Sequence, residues 1–381
     1  MKIEFTEDQL CIRQMVRDVM EKEVLPHVET WESNELIPKE IFPTFAELGL
    51  FGMVIPETYG GAGIDYISSC LVIEEIARIS ASLAITISVH NSVGCYPVFK
   101  YGTDTQKQKY LLPLIKGEKI GCFAITEPNA GSDVAAIKTK AVKDGDTYIL
   151  NGTKAWVTNG GFGGIAIIQA ITDPAAGPKG ISSFIVDSDS KGFIISKKED
   201  KMGIRASATN EIILEDCRIP SENLLGKEGM GMRIALDALD GGRIGVAAQA
   251  IGISVAAVEK ACEYAKARTS FGQNLADHQA IQFMLADAAT KIESARLLTL
   301  KAAYLKDNNL RCAKEAAMAK LFASEASIDV TYKALQIFGA YGYSKEFPLE
   351  RYSRDARVTT IYEGTSEIQR IVIAREILKA L

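Results

Sequence analysis

Apolar positions recur with a helical period at both ends of the chain and with strand-like density in its middle. Near the N-terminus Ile12, Met15, Val16, Val19 and Met20 repeat at helical spacing until Pro26, which predicts an amphipathic helix. Thr6 followed by Gln9 predicts a capping box at its start, with Phe5 placed to staple onto Leu10. ISSCLVIEEIARIS and DTQKQKYLLPLIKG predict two more helices, and ASLAITISVHNSVGCYPVFKYG a central, buried one. The pattern changes near Ile120. IGCFAIT, TYILNGTKAWVTN, GIAIIQAIT, ISSFIVD, GFIISKK and NEIILEDCRIP are short and rich in β-branched residues, and Asp144-Gly145, Pro174, Gly177-Pro178 and Gly192 punctuate them. Strands this close together, with no helices between, argue for an antiparallel sheet or small barrel. From Gly229 the 3.6 period returns in long alanine-rich stretches followed by a shorter terminal one, which predicts a four-helix bundle. The expected architecture is α+β and multidomain: an N-terminal helical domain over 1–120, a middle antiparallel β-barrel-like domain over 121–228 and a C-terminal four-helix bundle over 229–381.

Composition narrows the function more than the fold. A chain of 381 residues can bury a large core. A net charge of −5 with no basic stripe argues against nucleic acid as a partner. No unbroken apolar run reaches membrane-spanning length, so no membrane association is expected. MKIEFTEDQL has no apolar signal region and reads as a cytoplasmic start without signal or transit peptide. Seven dispersed cysteines without a CxxC pair fit buried free thiols in a reducing compartment. His27, His90 and His278 share no ligand spacing, so no metal site is expected, and no GxSxG elbow supports a hydrolase.

Several stretches could carry chemistry, each with a plainer reading beside it. YGGAGID, GGFGGIA and GKEGMGMR are glycine-rich, but none is a complete GxGxxG leading from strand to helix, so they read as turns. In CFAITEPNAGSD, residues 122–133, a strand ends at Thr126 and a loop follows. Its backbone N–H groups, with the Thr126 and Ser132 hydroxyls, could bind a phosphate or polar heterocycle. NGTKAWVTNGG places Trp156 two residues before Thr158 on a strand, where core packing is the usual explanation for one tryptophan. Arg268 in ARTSFGQ falls at a helix C-terminus, where its charge suits the dipole. Asp240 and Arg243 in LDGGR share a helix face, and a surface ion pair is the ordinary reading. The glycine pair between them is harder to explain, since each costs about 1 kcal/mol against alanine. His90 reads as a hydrogen-bonded core histidine. Near the end, TTIYEGTSEIQR sets Glu363 between Tyr362 and Gly364, in surroundings too apolar for a solvated helix face.

Together these stretches resemble the acyl-CoA dehydrogenases, and the wording is closest to the short-chain, butyryl-CoA type. The resemblance runs the length of the chain and rests on CFAITEPNAGSD, NGTKAWVTNGG, KKEDKMGIRASATNEIILEDCRIP, LDGGRIGVAAQAIG, QIFGAYGY and RDARVTTIYEGTSEIQR in that order. It implies a helix–barrel–helix chain that binds FAD and assembles as a homotetramer, a dimer of dimers. It implies that Phe123, Ile125, Thr126, Trp156 and Thr158 surround the isoalloxazine, with Ser132 between flavin and the CoA arm. Arg268, Phe271, Gln279, Gln336 and Gly339 would hold the ADP part across a subunit interface, with Thr365 and Glu367 on the same cofactor. Asp240 and Arg243 would bind CoA, Tyr362 and Gly364 would lie against the substrate, and Glu363 would be the base.

The implied reaction removes hydrogens from the α and β carbons of a short-chain acyl-CoA, giving a trans-2-enoyl-CoA and passing electrons to an electron-transferring flavoprotein. The α proton is weakly acidic. The thioester oxygen must therefore be polarised by fixed donors, and the base must gain basicity through burial. A glycine beside Glu363 lets a flat thioester approach. Alternatives within the resemblance are medium, branched or cyclic acyl groups, or a flavin oxidase or mono-oxygenase on the same fold. AITISVHNSVG, residues 84–94, is expected to set pocket depth.

Overall fold

The computed structural model describes residues 4–380. Helix α1 (Glu7–Val19) begins with both capping-box hydrogen bonds between Thr6 and Gln9. Charge ties it to α2 (Tyr66–Ile79): Arg13 Nε and Arg17 Nη2 donate to Glu75 Oε1 at 2.6 and 2.7 Å, and Glu75 is 1% exposed. A buried acid of this kind is tolerable only because it is paired.

Helix α3 (Ala81–Val89) is buried along its whole length, as a central helix should be. It does not continue uniformly. A wider π-type turn fills His90–Cys95 before helix resumes over Tyr96–Tyr101. Pro97 has no N–H for the carbonyl four residues back, and the slipped register accommodates that loss. His90 sits in this turn with both ring nitrogens on backbone. Gly121 N donates to Nδ1 at 2.9 Å, and Nε2 lies 3.1 Å from Phe51 O. Burial depresses its pKa to about 4, so it is a neutral core histidine joining the helical part to the first strand.

The middle of the chain forms one sheet from β1 (Ile120–Ala124), β2 (Lys140–Asp144), β3 (Thr147–Thr158), β4 (Gly164–Ile171), β5 (Ile181–Asp187), β6 (Phe193–Lys198), β7 (Thr209–Pro220) and β8 (Leu224–Leu225). The order is β6-β7-β3-β2-β4-β5-β8, with β1 alongside β4. Most pairs are antiparallel. The exceptions are β1 with β4, parallel from Ile120↔Gly164 to Ala124↔Ile168, and a single β2–β4 pairing at Lys140↔Ile171. The β2–β3 hairpin separates β1 from β4, which gives the chain length enough to return in the same direction.

The third part is built on α4 (Gly231–Ala267), which packs against α2, α3, α5 (Gln279–Asp307) and α6 (Ala313–Phe338). By length and composition α4 could cross a membrane, but 83% of its most apolar window is buried inside the fold. Its glycines let neighbours approach closely. A Cβ on Gly252 would stand 2.3 Å from Glu74 O and 2.7 Å from Ala77 Cβ. Helices α7 (Leu349–Val358) and α8 (Ser366–Ala380) close the bundle.

Candidate active site

After α7 the chain turns through Ile361, Tyr362, Glu363 and Gly364 before α8 begins. Glu363 and Gly364 both take left-handed backbone, φ 54° and 89°. Glycine does so freely, but for glutamate it costs on the order of 1 kcal/mol. Hydrogen bonds hold the turn. Lys320 Nζ and Gln369 Nε2 each donate to Gly364 O at 2.8 Å, and Gln369 Nε2 also reaches Glu363 O at 3.1 Å.

This geometry lays the Glu363 carboxylate against α4 at Gly242. A Cβ on Gly242 would lie 2.6 Å from Oε2, 2.8 Å from Cδ and 2.9 Å from Oε1. The glycine therefore lets the carboxylate lie directly on the helix, which accounts for one of the two helix-breaking residues in LDGGR. Glu363 Oε2 is buried and has no hydrogen-bond partner among the described residues. Burial raises the carboxyl pKa to about 7, with the charges of Arg243 and Lys320 pulling the other way. A carboxylate so poised can accept a proton at neutral pH.

Arg243 and Asp240 lie on the same helix. Arg243 Nη1 donates to Asp240 Oδ1 at 2.8 Å. The ordinary reading, a surface ion pair, does not hold: Arg243 is 4% exposed, and its Nε is buried without a partner among the described residues. Burial raises the pKa of Asp240, opposed by Arg243. Further along α4, Gln249 Oε1 accepts from the Tyr362 hydroxyl, while Gln249 Nε2 donates to Ala81 O at 2.8 Å. Val246 lies between, in one apolar cluster with Ile85, Val89 and Val93, against which Phe123 and Tyr362 pack. The 84–94 segment thus has two faces. The other, through Ser88, Asn91 and Ser92, lines a separate cavity of about 30 Å³ with Gly241, Ile244 and Gly245.

The strand residues gather at the ends of β1 and β3. Ala155 N donates to Thr126 O at 2.9 Å, which sets Trp156 beside the end of β1. Trp156 is not a core tryptophan. It is 59% exposed, with φ 58°, on a bulge where the β3–β7 register shifts between Lys154 and Val157. Ile125 is buried, Phe123, Thr126 and Thr158 are half-buried, and Ser132 is exposed on the following loop. Thr158 pairs with Thr209, whose Oγ1 is buried without a partner among the described residues. An exposed indole next to half-buried hydroxyls and an unsatisfied one is an arrangement that a flat, polar-edged ring such as a flavin fits.

Beneath it, Glu127 anchors the loop. It accepts from Lys138 N at 2.6 Å, Thr139 N at 3.0 Å and Thr139 Oγ1 at 2.6 Å, and pairs with Lys154 Nζ at 2.8 Å. Burial alone would raise its pKa, but Lys154 and these bonds outweigh it and hold the carboxyl below its usual range.

The remaining expected residues lie apart from Glu363 in character. Arg268, Phe271, Gln279, Gln336, Gly339 and Glu367 are exposed, and Thr365 is half-buried. Phe271 is 98% exposed with φ 51°, on the tip of the Thr269–Asn274 hairpin. Phe271 thus presents its ring to solvent from a left-handed turn. The sequence reading missed Lys320, Gln369, Gln249 and the Glu127–Lys154 pair. For Lys320 a signal existed, because helical phase puts it on the buried stripe of Ala316, Ala323 and Ser327.

The acyl-CoA dehydrogenase N-terminal, middle and C-terminal domains match residues 6–118, 122–217 and 229–378. The chain is 49% identical over 378 residues to the mitochondrial short-chain specific acyl-CoA dehydrogenase of Mus musculus, covering 99% of this chain and 92% of that one. It is similar to butyryl-CoA dehydrogenase from Megasphaera elsdenii, with TM-score 0.97 and 44% identity over 99% of this chain and 100% of the other. It is also similar to a chain in the structure of the electron transferring flavoprotein of Acidaminococcus fermentans, with TM-score 0.98 and 46% identity over the whole of both.

Proposed function

Because this chain belongs to the acyl-CoA dehydrogenase family, whose members are FAD enzymes, we propose that it oxidises short-chain, butyryl-type acyl-CoA thioesters to trans-2-enoyl-CoA. The observation that carries the reading is the Glu363 carboxylate: buried at Oε2, unpartnered there among the described residues, and pressed on a glycine. Glu363 takes the α proton onto that oxygen. Its own backbone N–H, which makes no hydrogen bond among the described residues, is available to polarise the thioester oxygen. Gly364 leaves room for the thioester plane, and Tyr362, tied to Gln249, excludes water from the base. Asp240 and Arg243 hold the CoA arm near Glu363. When bound, FAD supplies the acceptor for the β hydrogen. Phe123, Ile125, Thr126, Trp156 and Thr158 hold its ring, and Ser132 lies between ring and CoA.

We assign the exposed set Arg268, Phe271, Gln279, Gln336 and Gly339, with Thr365 and Glu367, to the ADP half of FAD across a subunit interface in a homotetramer. Exposed Phe283, Leu297 and Tyr304 on α5 and Met318, Phe322 and Tyr332 on α6 support such an assembly, since they form apolar surface for a second copy to bury. An electron-transferring flavoprotein as acceptor follows from the Acidaminococcus relative. The exposed free thiol of Cys11 suits a reducing cytoplasm. The test is anaerobic mixing of the yellow protein with butyryl-CoA, followed by air. Bleaching that persists in air supports the dehydrogenase, whereas no bleaching, or immediate reoxidation, overturns it.

A further inference from the structure

We propose that Lys320 is a positioning residue for the Glu363 base: its buried ammonium grips the Gly364 carbonyl and so fixes where the neighbouring carboxylate stands against α4. The inference rests on the reading of Glu363 as the base.

Lys320 is 0% exposed. Fully burying a lysine is costly, and a chain rarely keeps one without a task for it. Its stripe on α6 is otherwise small and uncharged, with Ala316, Ala323, Ser324 and Ser327 all buried. An apolar residue would pack there at lower cost. Its hydrogen bond goes to the Gly364 carbonyl at 2.8 Å, in the left-handed turn that aims the base. Gln369 Nε2 reaches the same oxygen at 2.8 Å, so the turn has two donors and only one carries charge. Loss of Lys320 therefore leaves the turn closed but displaced, and the fold intact.

The charged groups around this point come from several elements. Glu363 on the turn, Arg243 on α4, Glu325 on α6 and Glu367 on α8 act on Lys320. Arg243 and Lys320 act on Glu363, whose charge in turn acts on Tyr362. Burial lowers the Lys320 pKa to about 8, with Glu363 raising it, and burial lifts Glu363 to about 7. Near neutrality the ammonium is charged and keeps the carboxyl from rising further. Removing that charge moves Glu363 up.

The experiment uses the FAD-loaded enzyme with butyryl-CoA and compares wild type, Lys320→Met, Lys320→Gln and Glu363→Gln. It measures anaerobic flavin bleaching against pH, KM, bound flavin, and the infrared carboxyl band that Glu363→Gln removes. Lys320→Met should bleach about 10–100-fold more slowly. Its KM and flavin content should stay near wild type, and both the rate midpoint and the carboxyl band should titrate about one pH unit higher. Lys320→Gln keeps a donor without the charge. It should recover most of the rate and keep the upward pH shift. A wild-type rate and midpoint in Lys320→Met overturns the proposal, as does a slow variant that has lost flavin with an unmoved midpoint. If Lys320→Met does not fold, an unmoved midpoint in Lys320→Gln overturns it. Should Glu363→Gln itself bleach within tenfold of wild type, the base assignment fails instead, which is a separate result.

Discussion

Gly242→Ala separates what the fold needs from what the chemistry needs. In an exposed helix alanine would be better than glycine by about 1 kcal/mol. Here the new Cβ arrives 2.6 Å from Glu363 Oε2 and 2.9 Å from Oε1. Ordinary carbon–oxygen contact requires roughly 3.3 Å, so the carboxylate oxygens must retreat by about 0.4–0.7 Å. The obstructing atoms are the far end of a flexible side chain, so the retreat costs the fold little. Stability should therefore be unchanged or slightly improved. The same retreat moves the base away from the α carbon, and displacement on the scale of 1 Å costs on the order of 10²-fold in rate. The assay is stopped-flow bleaching by butyryl-CoA in parallel with thermal unfolding of the FAD-loaded protein. The expected outcome is a 30–100-fold slower reduction at an equal or higher melting temperature, about 2–2.7 kcal/mol in the barrier. A variant within threefold of wild type would refute the claim that contact with Gly242 sets the position of the base.

Glu363→Gln should slow bleaching by 10² to 10⁴-fold or more while butyryl-CoA still binds, measured by titration of the flavin spectrum. The same variant has a stability signature. The folded pKa of Glu363, about 7, lies above its unfolded value, so wild type is penalised progressively as pH rises through that window and fully above it. Glu363→Gln should gain on wild type toward pH 8, by at most about 3 kcal/mol, and an equal difference at pH 5 and pH 8 would contradict the burial argument. Arg268→Ala should weaken FAD retention and tetramer stability together, because a ligand bound only by the assembly stabilises it; retained flavin with an unchanged melting temperature counts against the interface role. Straight four- to six-carbon thioesters should exceed isovaleryl-CoA in kcat/KM, and the reverse ranking would remove the short-chain reading.

The helices were legible because burial imposes a period on them: Ile12 to Met20, and the alanine-rich runs after Gly229, were located by spacing alone. The parallel pairing of β1 with β4 was not, since register between strands separated by a hairpin depends on partners far along the chain. Pro97 was in plain view, but whether it would break α3 or only widen its next turn depended on packing around His90. By itself Trp156 reads as core, while the resemblance puts it at the isoalloxazine; the bulge that turns it outward is set by pairing with β7. Asp240 and Arg243 were placed on one face correctly, yet i, i+3 spacing carries no information about which face is buried. Glu363 stood out from its neighbours alone. What holds it in place did not, because Gly242 and Lys320 come to its turn from distant segments.

Two acids, Glu127 buried and Glu363 half-buried with its Oε2 covered, show how that difference works. Glu127 and Glu363 each lie near a buried lysine, Lys154 and Lys320. Both lysines have pKa values lowered to about 8, chiefly by burial. The acids move in opposite directions: Glu127 falls below the usual carboxylate range, and Glu363 rises to about 7. Charge alone does not separate them. Glu127 meets its lysine directly at 2.8 Å and accepts three further hydrogen bonds. Lys320 instead spends its hydrogen bond on the Gly364 carbonyl, leaving Glu363 Oε2 without a partner among the described residues. Each hydrogen bond to a carboxylate favours its charged form, and desolvation without such bonds favours the protonated one. A saturated acid is a fastener, and Glu127 fastens the loop that carries Thr126 to the strand that carries Trp156. An unsaturated acid has one strong interaction still to make. Lys320 holds the turn through Gly364 and makes no hydrogen bond to the Glu363 carboxylate, so desolvation decides that acid's proton affinity.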